Sequence, residues 1–457
     1  MKEKIIDERK IRDILAETKN PSSRTILKIL KKAREKKGLE LKDAGSLVNF
    51  NQPELKKKLF AAAGWVKNEI YGERLVFFAP LYLSDYCVND CEYCNFHLAN
   101  KQLRRKRLTL KEIGEQTAIL INMGHKRILL ECGEDPQHND IDYVVRAIKK
   151  IYSVKTDKGS IRRINVNIAA TSVSDYRKLK KANIGTYQLF QETYHRPTYA
   201  RLHRGPKADY ERQITAHSRA FAAGLDDLGI GVLFGLYDWR FEVLALISHA
   251  QYLDKVYKVG PHTISVPRFQ NAPSVTFKSQ YPVSDDDFLK LIAILRIVVP
   301  YTGIIISTRE NPQIRKKAFQ IGVSQASAAS CVTIGGYGSK DSQPQFKIHD
   351  NRRLEEVVKT ALSDGFLPSF CTACYRRDRT GGKFMEFSKH GEIHKFCRVN
   401  AILTFAEYLE DFSSNDLREQ GKACLEFYLK KIEDLPLRQE TQKRLGEISN
   451  GKRDLYF

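Results

Sequence analysis

Pro80-Leu81-Tyr82-Leu83-Ser84-Asp85-Tyr86-Cys87-Val88-Asn89-Asp90-Cys91-Glu92-Tyr93-Cys94 carries a strand-like apolar run directly into three cysteines spaced C-x3-C-x2-C. The run closes the first of eight such segments: Leu75–Leu83, Arg127–Glu131, Asn165–Ala169, Thr186–Phe190, Leu228–Leu233, Thr263–Val266, Gly303–Ser307 and Val323–Ala326. Amphipathic, helix-period stretches separate them. Thr109-Leu110-Lys111-Glu112 has the form of a capping box, and Ser284 precedes Asp285-Asp286-Asp287 at another helix start. Eight β-then-α units over about 260 residues predict an α/β fold, a (β/α)8 TIM barrel. An open doubly wound sheet is the alternative, but the chain shows no reversal signal between the units. Chemistry in such a barrel sits in loops after the C-terminal strand ends, which is where the first three cysteines fall.

Outside the barrel, assigned to residues 74–352, lie helical extensions. Residues 1–73 show helix-period positions over Ile11–Ala16, Ser23–Ala33 and Pro53–Ile70. Residues 353–457 read as helical apart from a Gly- and Arg-rich stretch around Cys371–Gly382.

The chain has 457 residues, with 42% hydrophobic and 28% charged, an ordinary globular balance that excludes wholesale disorder. No apolar run approaches the roughly 20 residues of a membrane span, and no apolar leader follows Met1, so a cytoplasmic protein with no membrane partner is expected. Lys and Arg number 76 against 54 Asp and Glu, leaving a net charge of +22. That excess is spread along the chain, and no nucleic-acid partner is expected. Lys31-Lys32-Ala33-Arg34 reads as a solvated helix face. Arg104-Arg105-Lys106-Arg107, just past the first cysteines, reads as charge favouring an anionic cofactor or an acidic electron donor.

Nine cysteines, an odd number, stand at 87, 91, 94, 132, 331, 371, 374, 397 and 424. Six form two tight triplets, a pattern of metal ligation rather than disulfide pairing. Structural zinc takes four protein ligands, whereas a cubane iron–sulfur cluster on Cys87, Cys91 and Cys94 leaves one iron open to a chelating small molecule. The second triplet, Cys371, Cys374 and Cys397, is spaced C-x2-C-x22-C. His390 or His394 could complete a zinc site there, and a second iron–sulfur cluster is the equal alternative.

The first triplet after a barrel's first strand resembles the radical SAM superfamily. Four further stretches narrow the likeness: Pro80–Asn89, Glu192-Thr193-Tyr194-His195-Arg196, Gly260-Pro261-His262-Thr263-Ile264-Ser265-Val266-Pro267-Arg268, and Pro368-Ser369-Phe370-Cys371-Thr372-Ala373-Cys374-Tyr375-Arg376. Together, and over nearly the whole chain, they resemble the radical SAM tyrosine lyases of the [FeFe]-hydrogenase maturase (HydG) type. The sister ThiH type shares the barrel and first triplet but lacks the second, which makes Cys371, Cys374 and Cys397 the discriminating residues.

The resemblance implies a [4Fe-4S] cluster with S-adenosylmethionine, which yields a 5′-deoxyadenosyl radical. L-tyrosine is then cleaved at Cα–Cβ to p-cresol and dehydroglycine. It further implies conversion of dehydroglycine to carbon monoxide and cyanide at a second [4Fe-4S] cluster bearing a labile extra iron and free L-cysteine, giving an Fe(CO)2(CN) unit. Expected partners are reduced ferredoxin or flavodoxin and other hydrogenase maturation proteins. By the same resemblance His262 ligates the labile iron and Arg309 takes the tyrosine carboxylate, a contact that suits a guanidinium fork. Tyr93 stacks on adenine, Gly133, Glu134 and Glu192 meet the methionine amine, Arg219 its carboxylate, and Asn167 the ribose. The family commonly has Gly where this chain has Asn95 and Asp378. A ThiH-like 2-iminoacetate synthase, or a non-catalytic iron–sulfur carrier, are the competing readings.

Overall fold

Each of the eight apolar runs forms a parallel strand in the computed structural model, which describes residues 4–338 and 343–457. The strands are β1 (Arg74–Ser84), β2 (Arg127–Cys132), β3 (Arg163–Asn167), β4 (Tyr187–Glu192), β5 (Leu228–Val232), β6 (Thr263–Ser265), β7 (Gly303–Ile306) and β8 (Gln325–Ser327). β1 pairs with β8 through Val76–Phe78 and with β2 from Ala79 onward, which closes the barrel. The expected capping box is present: Thr109 Oγ1 accepts from Glu112 N at 3.2 Å, and Glu112 Oε2 from Thr109 N at 2.8 Å. Ser284 caps its helix through Asp287 N at 3.0 Å.

Two elements depart from the sequence reading. A helix at Leu41–Asn49 joins Glu8–Glu17, Ser23–Ala33 and Pro53–Tyr71 in the N-terminal extension. The C-terminal stretch, expected to be helical, contributes a ninth strand, β9 (Leu367–Ser369), parallel to β1 through Arg74–Val76. Val76 pairs with both Gln325 and Ser369, so β8 and β9 occupy opposite edges of β1. β9 therefore lies on the edge that β2 takes up three residues later, at the barrel's N-terminal mouth.

Alternation along the strands sorts the inward side chains into layers. Arg74, Arg127 and Arg163 stand at the strand starts, and Arg127 Nη2 reaches across to Gln325 Oε1 at 2.8 Å. Phe78, Leu129 and Ile305 form a small apolar belt above them. Tyr82, Glu131 and Asn167 come next, lining a cavity that opens at the C-terminal strand ends. Gly229 on β5 keeps the lumen passable, since a Cβ there would lie 2.6 Å from Thr263 Oγ1 and 2.7 Å from Gln188 Cγ.

The barrel's outer wall contains a fully buried cation. Arg296, on the helix Asp285–Val298, donates from Nε and Nη2 to Gly322 O (3.0 and 2.9 Å) and from Nη1 to Pro300 O and Thr302 O (both 2.8 Å). Burial pulls its pKa down to about 10, still well above neutrality. Arg296→Leu would strand three carbonyls without donors and is expected to cost about 3 kcal/mol or more, read as a lowered urea midpoint at unchanged slope.

Candidate active site

The loop after β1 is held open by its own polar groups. Arg105, expected to attract an anion, instead braces the loop from within, donating to Asp85 O (2.5 Å), Phe96 O (2.8 Å) and His97 O (2.6 Å). Lys106 pairs with Glu112 at 3.0 Å and Arg107 donates to His138 O at 2.7 Å, so three of the four cations in that run are engaged locally. Asn95 is fully buried. Its Nδ2 donates to Pro344 O (2.7 Å) and its Oδ1 accepts from Ser274 Oγ (2.5 Å), stitching the cysteine loop to two later segments.

Cys87, Cys91 and Cys94 all open into the cavity above the barrel, with Tyr93, Gly133, Glu134, Asn167, Glu192 and Arg309 on its walls. Burial pushes the Cys87 thiol up, that of Cys91 further, and that of Cys94 to about 11, so bare thiols there are protonated and metal loading must displace protons. Three thiols facing one polar-rimmed cavity fit a three-cysteine cluster with an open iron.

Gly133 is fixed by contact: a Cβ would lie 2.3 Å from Tyr86 O. Tyr93 is buried, and its hydroxyl donates to His203 Nε2 at 2.7 Å, because His203 Nδ1 is committed to Tyr199 O at 2.8 Å. Glu192 has φ +67, beyond a register shift at the end of β4, a strained backbone at a cavity wall.

Two cations that the sequence reading did not single out complete this site. Lys207 pairs with Glu192 at 2.7 Å, and Arg212 pairs with Glu134 at 2.5 Å. Burial opposes the Lys207 ammonium, but Glu192 and the Cys91 thiol raise its pKa above the ordinary lysine range. Arg219 is not brought to the cavity. Its guanidinium is spent on Thr171 O (2.9 Å), Thr215 Oγ1 (2.6 Å) and Arg212 O (2.6 Å), so it supports the segment from which Arg212 reaches Glu134. Cys132 lines the same cavity, and burial pushes its thiol up to about 12.

The second triplet sits at the opposite end of the barrel. Cys371 follows β9 directly, Cys374 lies on the short helix Ala373–Arg376, and Cys397 is buried on Ile393–Phe412. Burial raises the Cys371 and Cys374 thiols, that of Cys374 to about 12. Arg74, the first residue of β1, faces Cys397 and Cys371, and its Nε and Nη1 have no hydrogen-bond partner among the described residues. His262, just before β6, stacks on Phe384 at 4.0 Å, with Tyr375 at 5.9 Å. Its Nδ1 meets Asp227 Oδ2 at 2.6 Å. A carboxylate on one ring nitrogen is the arrangement that orients the other toward a metal. His390 is exposed and bonds Glu386 O, and His394 bonds Gly391 O, each within its own helical turn. A guanidinium facing two buried thiols, with a carboxylate-oriented imidazole nearby, fits a cysteine-held cluster with an additional metal.

The chain matches the radical SAM superfamily model over residues 81–246 and the Biotin and Thiamin Synthesis associated domain over residues 265–367. A crystal structure of HydG, a maturase of the [FeFe]-hydrogenase, superposes with a TM-score of 0.96 at 49% identity, covering 99% of this chain and 100% of that one. The chain belongs to the HydG family of radical SAM tyrosine lyases. It is accordingly an enzyme of that carbon–carbon lyase class. HydG from Carboxydothermus hydrogenoformans is 41% identical, with 97% of each chain covered and a TM-score of 0.85. The 2-iminoacetate synthase of Escherichia coli (strain K12) is 30% identical over 304 residues, 65% of this chain and 78% of that protein. Both matched family models end at or before residue 367, ahead of Cys371, whereas the likeness to the HydG structures spans the second triplet. No described helix is long and apolar enough to cross a membrane.

Asp378, expected by resemblance to stand where Gly is usual, has φ +50. Aspartate is among the few residues that tolerate this left-handed backbone. Asp378→Gly is expected to change stability by less than about 0.5 kcal/mol and Asp378→Val to lower it by about 1–2 kcal/mol. Thermal unfolding of the iron-loaded protein reads both.

Proposed function

We propose that the chain cleaves L-tyrosine at Cα–Cβ in the upper cavity, giving p-cresol and dehydroglycine, and converts the second product to carbon monoxide and cyanide at the lower triplet. The carrying observation is the placement of two cysteine triplets at opposite ends of one barrel, with polar and apolar layers of side chains between them. When bound, S-adenosylmethionine and a [4Fe-4S] cluster on Cys87, Cys91 and Cys94 supply the 5′-deoxyadenosyl radical. The chain's residues bind and orient around that chemistry. The Glu134–Arg212 and Glu192–Lys207 pairs present fixed polar groups to the methionine head, Asn167 faces the ribose, and Arg309 takes the tyrosine carboxylate. In this reading Arg219 holds Arg212 rather than touching S-adenosylmethionine.

At the lower end, Cys371, Cys374 and Cys397 hold the second cluster, and His262, oriented by Asp227, serves the labile iron alongside free L-cysteine. The arginine layer at the strand starts suits the passage of an anion, and dehydroglycine carries a carboxylate. The product is an Fe(CO)2(CN) unit for [FeFe]-hydrogenase assembly, delivered to other maturation proteins, with a reduced ferredoxin or flavodoxin as electron source.

Identity to 2-iminoacetate synthase favours a second reading, in which the chain releases dehydroglycine as its final product. One experiment separates the two. In anaerobic turnover with S-adenosylmethionine, L-tyrosine, free cysteine, iron and dithionite, wild type is expected to give p-cresol together with carbon monoxide. Cys371→Ala with Cys374→Ala should retain p-cresol within about threefold and lose carbon monoxide trapping by deoxyhaemoglobin. Equal loss of both products would sink the two-site reading, and p-cresol without carbon monoxide in wild type would favour the synthase.

A further inference from the structure

We propose that Glu131 binds the substrate's α-amino group and forms, with Arg309, a clamp for the charged head of an α-amino acid. The assignment rests on the amino-acid lyase reading and deepens it. Three glutamates line the upper cavity. Glu134 is paired with Arg212 and Glu192 with Lys207, and both face the methionine head in the reading above. Among the described residues, Glu131 has no cation within ion-pair distance, and Arg309 has no carboxylate within it. These are the unmatched pair of the cavity, one acid and one base on facing strand ends.

Their surroundings hold them apart yet within each other's field. Arg309 lies flat on the Phe346 ring, 3.3 Å from its centroid, which fixes the plane of the fork. The Tyr82 hydroxyl lies between Glu131 and Gln345 Oε1, 2.8 Å from the latter, and has one proton to share between two acceptors. Glu131 is thereby left with acceptor capacity toward the cavity. Arg309 and Glu131 each register the other's charge without touching. The amino and carboxylate groups of an α-amino acid sit on one carbon, so a single head can bridge that interval with its ammonium on Glu131 and its carboxylate on Arg309. Burial raises the empty Glu131 carboxyl to about 7, the state of an acid lacking its cation.

Equilibrium dialysis on the anaerobically reconstituted full chain with S-adenosylmethionine tests the clamp. The probes are L-tyrosine and 3-(4-hydroxyphenyl)propanoate, the same molecule without its amino group. Wild type is expected to prefer tyrosine by about tenfold to hundredfold, the range for a charge-assisted hydrogen bond. Glu131→Gln should lose most of that preference while binding the propanoate within about twofold of wild type. A preference that survives in Glu131→Gln, an equal weakening of both probes, or a wild type that does not distinguish them would overturn the clamp. Where Glu131→Gln misses wild-type iron content, Glu131→Ala is read by the same outcomes. L-tryptophan separates the two levels of the argument: the same discrimination for tryptophan, with no tyrosine binding, would keep the clamp and remove the tyrosine assignment.

Discussion

Everything at either end of this molecule depends on how β1 is paired. Its 11 residues take β8 on one edge and share the other between β9 and β2, so one strand fixes both mouths of the barrel. At its C-terminal end it delivers the loop of Cys87, Cys91 and Cys94, and at its N-terminal end Arg74 faces the thiols that follow β9. A register slip of one residue along β1 would turn Arg74, Phe78 and Tyr82 out of the lumen together. The arginine layer, the apolar belt and the substrate wall therefore share one determinant.

The barrel itself was legible because a parallel strand buried on both faces is a short apolar run, and eight such runs alternate with capped helices. β9 was not, since three residues, one of them Pro368, carry no period. The helix Leu41–Asn49 was missed for a similar reason: its nine residues include Gly45 and Asn49 and follow the breaker at Gly38. Strand bounds moved by two residues at β3, at the end of β4 and at the start of β8, where Asn and Gln positions interrupt the apolar pattern.

The sites were legible to different degrees. Cysteine spacing located both triplets, and strand-end position brought Glu134, Asn167, Glu192 and Arg309 to one cavity. It pointed to Arg219 and passed over Arg212, seven residues earlier, because which guanidinium pairs with Glu134 is decided by carbonyls at Ala170 and Thr171 that only the fold supplies. Lys207 sits in a loop without a motif. Arg105 reads, in its basic run, as charge for an anionic cofactor or an acidic electron donor, yet three backbone carbonyls use it as an internal cap. The charge of a side chain is written in the sequence. Whether its partner is a ligand or the chain's own backbone is not.

Barrel enzymes place chemistry at the C-terminal strand ends and leave the opposite face to stability. Here the opposite face is polar for a different reason. Arg74, Arg127 and Arg163 point inward, each with an Nε–H that finds no partner among the described residues, a costly arrangement for a face that serves packing alone. Tyr375 lies against Arg163 at 4.8 Å and bonds Thr186 Oγ1 at 2.9 Å, so the segment that carries the second triplet is tied to the starts of β3 and β4. Asp227, before β5, orients His262, before β6. The strand starts thus supply the lower site with cations, an oriented imidazole and fixed hydroxyls, as the strand ends supply the upper one. A first strand long enough to be paired at both ends thus places a cysteine triplet at each mouth of one barrel.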